Sequence, residues 1–253
     1  MEHVLTARAK PLAPEAPRLS QLERVMDTFL APSKTFADIL RSTSWWLPLL
    51  LLIVFAAASA FAIDQKIGFD RVTEQAIQQN PKAADQVAQL PPDQRASQMR
   101  VRSAFTRSFT YGAGVFFLIF VAIGALLNWA SMNFGLGAKT TFAQNFAVGM
   151  YASLPILFIY VLNIGLVYAG VNTENFNLNN PVGTNFGYYL SDAAPWIKTA
   201  LSFFDIFRIW SLVLLVIGTA IIARKSTAQA AMVVVGWWVV AILIVTGAVA
   251  ATS

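Results

Sequence analysis

The sequence predicts an all-α polytopic membrane protein with five spanning helices, and three features carry that prediction. Charged residues make up 12% of the chain, against about 25% in a typical soluble domain. Hydrophobic residues make up 57%, and the mean hydropathy is +0.58. The apolar residues gather in uniform blocks, not in the periodic stripes that a soluble core requires.

The blocks run over residues 46–63, 109–132, 146–171, 203–223 and 232–251. Each is long enough, as a helix rising 1.5 Å per residue, to cross a hydrocarbon core of about 30 Å. Helices are required because lipid offers no partner to a bare backbone amide. A membrane β-barrel would need short alternating segments, and these blocks do not alternate. The triplets in "AAASAFA" (56–62) resemble a signal-peptidase site. Forty-five mostly polar residues precede the apolar core, however, so the first block reads as a retained anchor.

Lys and Arg near the block ends set the orientation. Arg8, Lys10, Arg18, Arg24, Lys34 and Arg41 precede the first block, Lys139 follows the second, and Arg224 and Lys225 follow the fourth. The third connection has only Lys198, and residues after 251 carry no cation. These regions predict a cytoplasmic N-terminus and an outer C-terminus. The first connection, 64–108, opposes them with seven cations, diluted by Asp64, Asp70, Glu74, Asp85 and Asp93. The net charge of +5 reads as membrane-surface chemistry, because no basic and aromatic pattern of the nucleic-acid-binding kind accompanies it.

Residues 1–18, rich in Ala and Pro, read as a disordered tail. Residues 19–44 read as an amphipathic interfacial segment. Leu22, Val25, Met26, Phe29 and Leu30 recur at helical spacing, Pro32 interrupts, and Ser33 is read as the cap of a second piece bearing Phe36, Ile39 and Leu40. The segment either docks at an interface or packs on the cytoplasmic side of the five-helix domain, 45–251. Trp45 and Trp46 mark the membrane boundary. The first outer loop, 64–108, reads as a helical cap in which Asp93 starts a helix running into the second span. The loop 172–202 is Asn-rich turn chemistry, with Tyr188, Tyr189 and Trp196 at the outer interface.

Catalytic signatures are missing. The chain has no cysteine and one histidine, His3, so Ser–His chemistry and a transition-metal site are not predicted, nor is any cofactor. Asn128 and Asn163 are read as polar helix-packing residues. Pro155, inside the third block, is expected to kink or break its helix. Asp205 and Arg208, three residues apart at the start of the fourth block, are expected to share a helix face and approach each other. They are read as a structural clamp, or as a polar contact for a lipid headgroup or solute.

The stretches "FLAPSKTFADIL" (29–40), "YASLPILF" (151–158) and "FDIFRIWSLVLLVIGTA" (204–220), in that order, resemble segments of the Yip family of Ypt/Rab-interacting membrane proteins, in its bacterial form. "FLAPSKTFADIL" resembles the family's P-x-x-x-F-x-x-I segment before the first span, and "YASLPILF" its Y-x-x-x-P segment, with Tyr151 and Pro155. "FDIFRIWSLVLLVIGTA" (204–220) resembles its fourth helix, with Phe207, Trp210, Leu214 and Gly218 in the recognisable positions. The resemblance implies a cytoplasmic N-terminus and an outer C-terminus. Eukaryotic members work with small GTPases in vesicle traffic, and the long Gln-rich first connection departs from theirs. The resulting expectation is a non-enzymatic scaffold of a bacterial inner membrane, partnered by the bilayer and by another membrane protein or itself. The alternative is a small transporter, channel or lipid-handling protein with a cavity near Pro155, Asn163, Asp205 and Arg208.

Overall fold

A helical hairpin precedes the first span. The structure, a computed structural model, describes residues 17–171, 173–190 and 192–252; the expectations for residues 1–16, including His3, Arg8 and Lys10, fall outside these. Ser20 caps α1 (Gln21–Leu30). Its hydroxyl accepts from the Glu23 amide, and the Glu23 carboxylate accepts from the Ser20 amide at 2.7 Å, which satisfies two otherwise orphaned donors. α2 (Pro32–Ile39) begins one residue later, at Pro32 and not with Ser33 as its cap. The fixed φ and missing N–H of proline suit the first helical position, so Ser33 falls inside the first turn.

The apolar residues of α1 divide between two sides. Val25 and Phe29 turn toward the core beside the buried Arg24 and Thr28, whereas Leu22, Met26 and Leu30 are 64%, 53% and 78% exposed. The inward face is thus part polar, because Arg24 and Thr28 find partners inside the fold.

α3 (Trp46–Lys66) is the first span. Gly68, at φ 83°, turns the chain into a cap of α4 (Phe69–Gln78), α5 (Pro81–Ala88) and α6 (Pro92–Tyr111). Phe69 and Val72 pack on Ala62 and Ile63, and the Gln75 amide donates to the carbonyls of Thr173 and Glu174, tying the cap to the third connection. Asp93 lies in the first turn of α6 but makes no side-chain cap. Gly112 separates α6 from α7 (Ala113–Ala130), so the second span begins four residues later than the apolar pattern suggested. A π-helical turn, Ser131–Gly135, extends it.

A Thr141–Gln144 capping box starts α8 (Phe142–Ala152) ahead of the expected boundary at 146. After a break at residues 153–155, α9 (Ile156–Tyr168) completes the third span, and Gly170 at φ 73° ends it. The third connection holds more than turns: a 3₁₀ turn, Phe186–Tyr189, leads to α10 (Pro195–Ser202), which packs on the last helix. α11 (Ile206–Ala223) and α12 (Thr227–Thr252) complete the five helices long and apolar enough to cross a membrane. Between them Arg224 adopts a left-handed conformation at φ 52°, the C-cap geometry usually given to glycine.

The main core joins α2, α8 and α11. Phe36 and Ile39 are wholly buried against Ala147, Val148, Tyr151, Leu214 and Ile222. Gly218 makes room for Phe36: a Cβ there would lie 2.9 Å from its ring and 2.5 Å from the Val148 side chain. α12 is peripheral, and most of its apolar surface faces outward, as a lipid-facing helix requires.

Candidate functional site

The most elaborate polar arrangement lies at the hairpin. Arg24 is 1% exposed and Asp38 5%. The Arg24 Nε and Nη2 atoms both reach Asp38 Oδ2, at 2.8 and 2.6 Å, and Nη1 donates to the carbonyls of Ser42 and Ser44. Thr28 and Thr35 each donate a hydroxyl to the Arg24 carbonyl. Tyr151 of α8 donates to Gln21 Oε1 at 2.8 Å and to the Ser44 carbonyl at 3.1 Å. A buried guanidinium is tolerated when its donors are paired, and this one holds α1, α2 and the start of α3 against the bundle.

Two amide contacts tie the spans together. Asn128 of α7 donates to Asn145 Oδ1 of α8 at 3.0 Å and to Thr219 Oγ1 of α11 at 2.9 Å. Asn145 continues to Thr140, whose backbone and hydroxyl bond to Asn133 of the π turn. Asn163 of α9 donates to Ser59 of α3 at 2.7 Å. Each of Asn128 and Asn163 keeps one buried carbonyl oxygen without a protein partner.

Pro155 follows a local unwinding. Leu154 bonds back to Tyr151, and Ile156, Leu157 and Phe158 each bond to the carbonyl three residues earlier. The break separates the two halves of the third span: α8 packs closely on α11, while α9 packs mainly on α3. Phe29, at the tip of α1, fills part of the opening, edge-on to Phe158 of α9 and to Trp210 of α11, at centroid distances of 5.8 and 5.5 Å.

Asp205 and Arg208 do not pair. Asp205 is not in the helix; it is the residue before it, with an extended backbone. Its carboxylate is buried, accepts from the amides of Phe207 and Arg208, and accepts the Thr184 hydroxyl from the third connection. The three-residue spacing argument fails because it requires both residues on helical turns. Arg208 is half-buried over the Phe203 ring at 5.8 Å, and it has no carboxylate within ion-pair distance among the described residues.

Two grooves lie elsewhere. One of about 470 Å³ runs between α4, α5 and α6 past Ile77, Arg102 and Phe105. Another, of about 270 Å³, is lined by Ser131, Met232, Gly236 and Trp237, with the Trp237 indole donating to the Ser131 hydroxyl at 2.9 Å. Among the described residues no cluster of three or more His, Asp or Glu side chains could hold a metal ion.

The sequence reading missed Arg24 and Asp38 as a pair, and missed Asn145, Thr219, Ser59 and Thr184 as partners. One signal was available: Arg24 and Thr28 sit directly before Val25 and Phe29, on the flank of α1 that turns inward.

Five apolar helices, a polar hairpin clamp and cross-helix amide contacts define a multi-pass integral membrane protein. The chain belongs to the Yip family: residues 26–249 match the Yip1 domain. No curated protein and no solved structure matches it. The residues that carry the family likeness converge, since Phe36 and Ile39 from one stretch, Tyr151 from the second and Leu214 from the third share one buried cluster.

Proposed function

We propose that the chain is a non-enzymatic scaffold or interaction protein of a bacterial inner membrane, with its N-terminus cytoplasmic and its C-terminus outside. The observation that carries this reading is the use of the interior polar groups. Arg24, Asp38, Asn128, Asn145, Asn163, Ser59 and Thr219 bond to one another across helices. Such groups hold helices together. The two grooves described above touch none of Pro155, Asn163, Asp205 or Arg208.

Charge supports the orientation. In the opposing first connection, Arg107 pairs with Asp64 at 2.9 Å and Arg95 bonds to the carbonyls of Val87 and Ala88, so two of its cations serve local structure. The rival reading, a small transporter or lipid-handling protein, draws on one observation: Arg208 lacks an acidic partner among the described residues.

The test is native mass spectrometry of the protein extracted with its lipid in polymer discs, beside the Asp205→Asn and Arg208→Leu variants. Protein subunits retained at fixed stoichiometry in all three samples support the scaffold. A retained small molecule or lipid lost from both variants overturns it in favour of the rival.

A further inference from the structure

We propose that α1 and α2 form a re-entrant hairpin that dips into the bilayer beside α9 and α11, with Leu22, Met26 and Leu30 against lipid acyl chains. The argument rests on depth. The hairpin base lies near the start of α3, where Arg24 meets the Ser42 and Ser44 carbonyls. Along α2, Phe36 packs at Gly218 and Val148, inside two spans. At the tip, Phe29 meets Trp210 and Phe158. The third span runs away from the side where α3 starts, since successive spans alternate in direction. At the hairpin base the Tyr151 hydroxyl meets the Ser44 carbonyl, and Phe158 lies seven residues, about 10 Å, farther along that span. Phe29 therefore lies about 10 Å past the level where α3 starts, within the near half of a hydrocarbon core of about 30 Å.

The outward side of α1 agrees with that depth. Leu22, Met26 and Leu30 recur every four residues, which makes one continuous stripe. Phe158 and Trp210, the ring neighbours of Phe29, are themselves 40% and 37% exposed and belong to lipid-facing helices. The stripe is therefore continuous with a surface whose solvent is acyl chain. A protein partner would interrupt that surface.

The charges can be accommodated. Arg24 and Asp38 neutralise each other inside, as an element entering lipid must arrange. Glu23 sits in the first turn at the base, and Asp27 is half-buried. Lys34 is exposed, and its flexible four-carbon stem lets the ammonium reach back toward headgroups. Pro32 and the tight Ala31 link explain how so short a turn reverses the chain, with the Lys34 amide bonding back to the Ala31 carbonyl.

The chain contains no cysteine, so a single introduced thiol is unique. Met26→Cys and Leu30→Cys would be placed in vesicles of phosphatidylethanolamine and phosphatidylglycerol, with Lys225→Cys as the aqueous control. All three positions lie at the surface or in a turn, so the core is undisturbed. A water-soluble maleimide reaching both faces should label positions 26 and 30 at least about tenfold more slowly than 225, because the reactive thiolate needs water. Nitroxides at 26 and 30 should collide with oxygen in preference to a nickel chelate. Fast labelling with nickel preference would overturn the proposal and put the hairpin in water. Slow labelling with low access to both reagents would overturn it in favour of burial against a second copy.

Discussion

Arg24 and Asp38, fourteen residues apart and on opposite arms of a hairpin, meet with Nη2 2.6 Å from Oδ2 in a site almost closed to solvent. Removing one partner leaves the other charged and buried, with only the half-exposed Arg41 at 3.7 Å beside Asp38, or the Ser42 and Ser44 carbonyls beside Arg24. Arg24→Met or Asp38→Leu is therefore expected to destabilise the protein by about 3–5 kcal/mol. The double variant should recover much of that loss, because two apolar groups leave no orphaned charge. Urea or thermal unfolding in detergent measures all three. A double variant as unstable as the sum of the singles would assign the pair no mutual compensation.

Gly218 and Phe36 make the second prediction. A Cβ on Gly218 would press on the Phe36 ring and on Val148, neither of which has free space in a cluster with essentially no exposure. Gly218→Ala should cost about 1–3 kcal/mol by overpacking. Phe36→Leu in the same chain should relieve part of that cost, so the two effects are sub-additive. Full additivity in unfolding measurements would mean that the strain falls elsewhere.

The five spans were legible because uniform apolar blocks of that length have few other uses. Helix ends were less legible, since they rest on single residues: Gly112 delays α7, and Thr141 with Gln144 starts α8 early. The Arg24–Asp38 pair was hidden for a different reason. In a polar segment a charge reads as solvated, and only the turn at Ala31 and Pro32 brings these two together. Partners such as Thr219 for Asn128 depend on which spans are neighbours, and no local pattern encodes that. Asp205 was legible as a group at a helix start, but its partner Thr184 lies in a loop far back in the sequence.

Asn128 gives a smaller effect. Its amide joins three spans through Asn145 and Thr219, yet hydrogen bonds between membrane helices contribute modestly, because alternatives exist in the less ordered state. Asn128→Leu is expected to lower stability by about 1–2 kcal/mol, counting both lost bonds. Asn163→Leu, with a single bond to Ser59, should lose about half as much. The ratio is readable from unfolding midpoints in one detergent, and an inverted order would show that buried Ser59 and Asn163 carry more of the packing.

Glu23 sets an acid-side expectation. The Ser20 backbone amide, and then its hydroxyl, hold the Glu23 carboxyl below the usual carboxylate range. A lowered folded value means the cap contributes stability above the ordinary carboxylate range and loses it as pH falls through the lowered value. Carbon-13 titration of the Glu23 carboxyl should show the depression, and Glu23→Gln should abolish that part of the pH dependence. Ser20→Ala should remove the hydroxyl contribution alone, leaving Glu23 partly depressed. A Glu23 titration unchanged from the ordinary range would mean that the capping box is not held in solution.

Asp205 and Arg208 yield the last expectation, and it separates a cap from an ion pair. Asp205 satisfies two helix amides and the Thr184 hydroxyl from a buried position. Asp205→Ala should therefore cost about 1–2 kcal/mol, as loss of a good N-cap does. Asp205→Asn keeps an acceptor oxygen and should recover part of the loss. Arg208→Leu removes a charge that no described carboxylate balances, so its effect on stability should be small. A double-mutant cycle over Asp205→Ala and Arg208→Leu then returns a coupling near zero, because the Arg208 contact with Asp205 is through its backbone amide, which leucine retains. A coupling as large as the Asp205 effect itself would mean that the guanidinium swings onto the carboxylate, and the cap would then be one half of an ion pair after all.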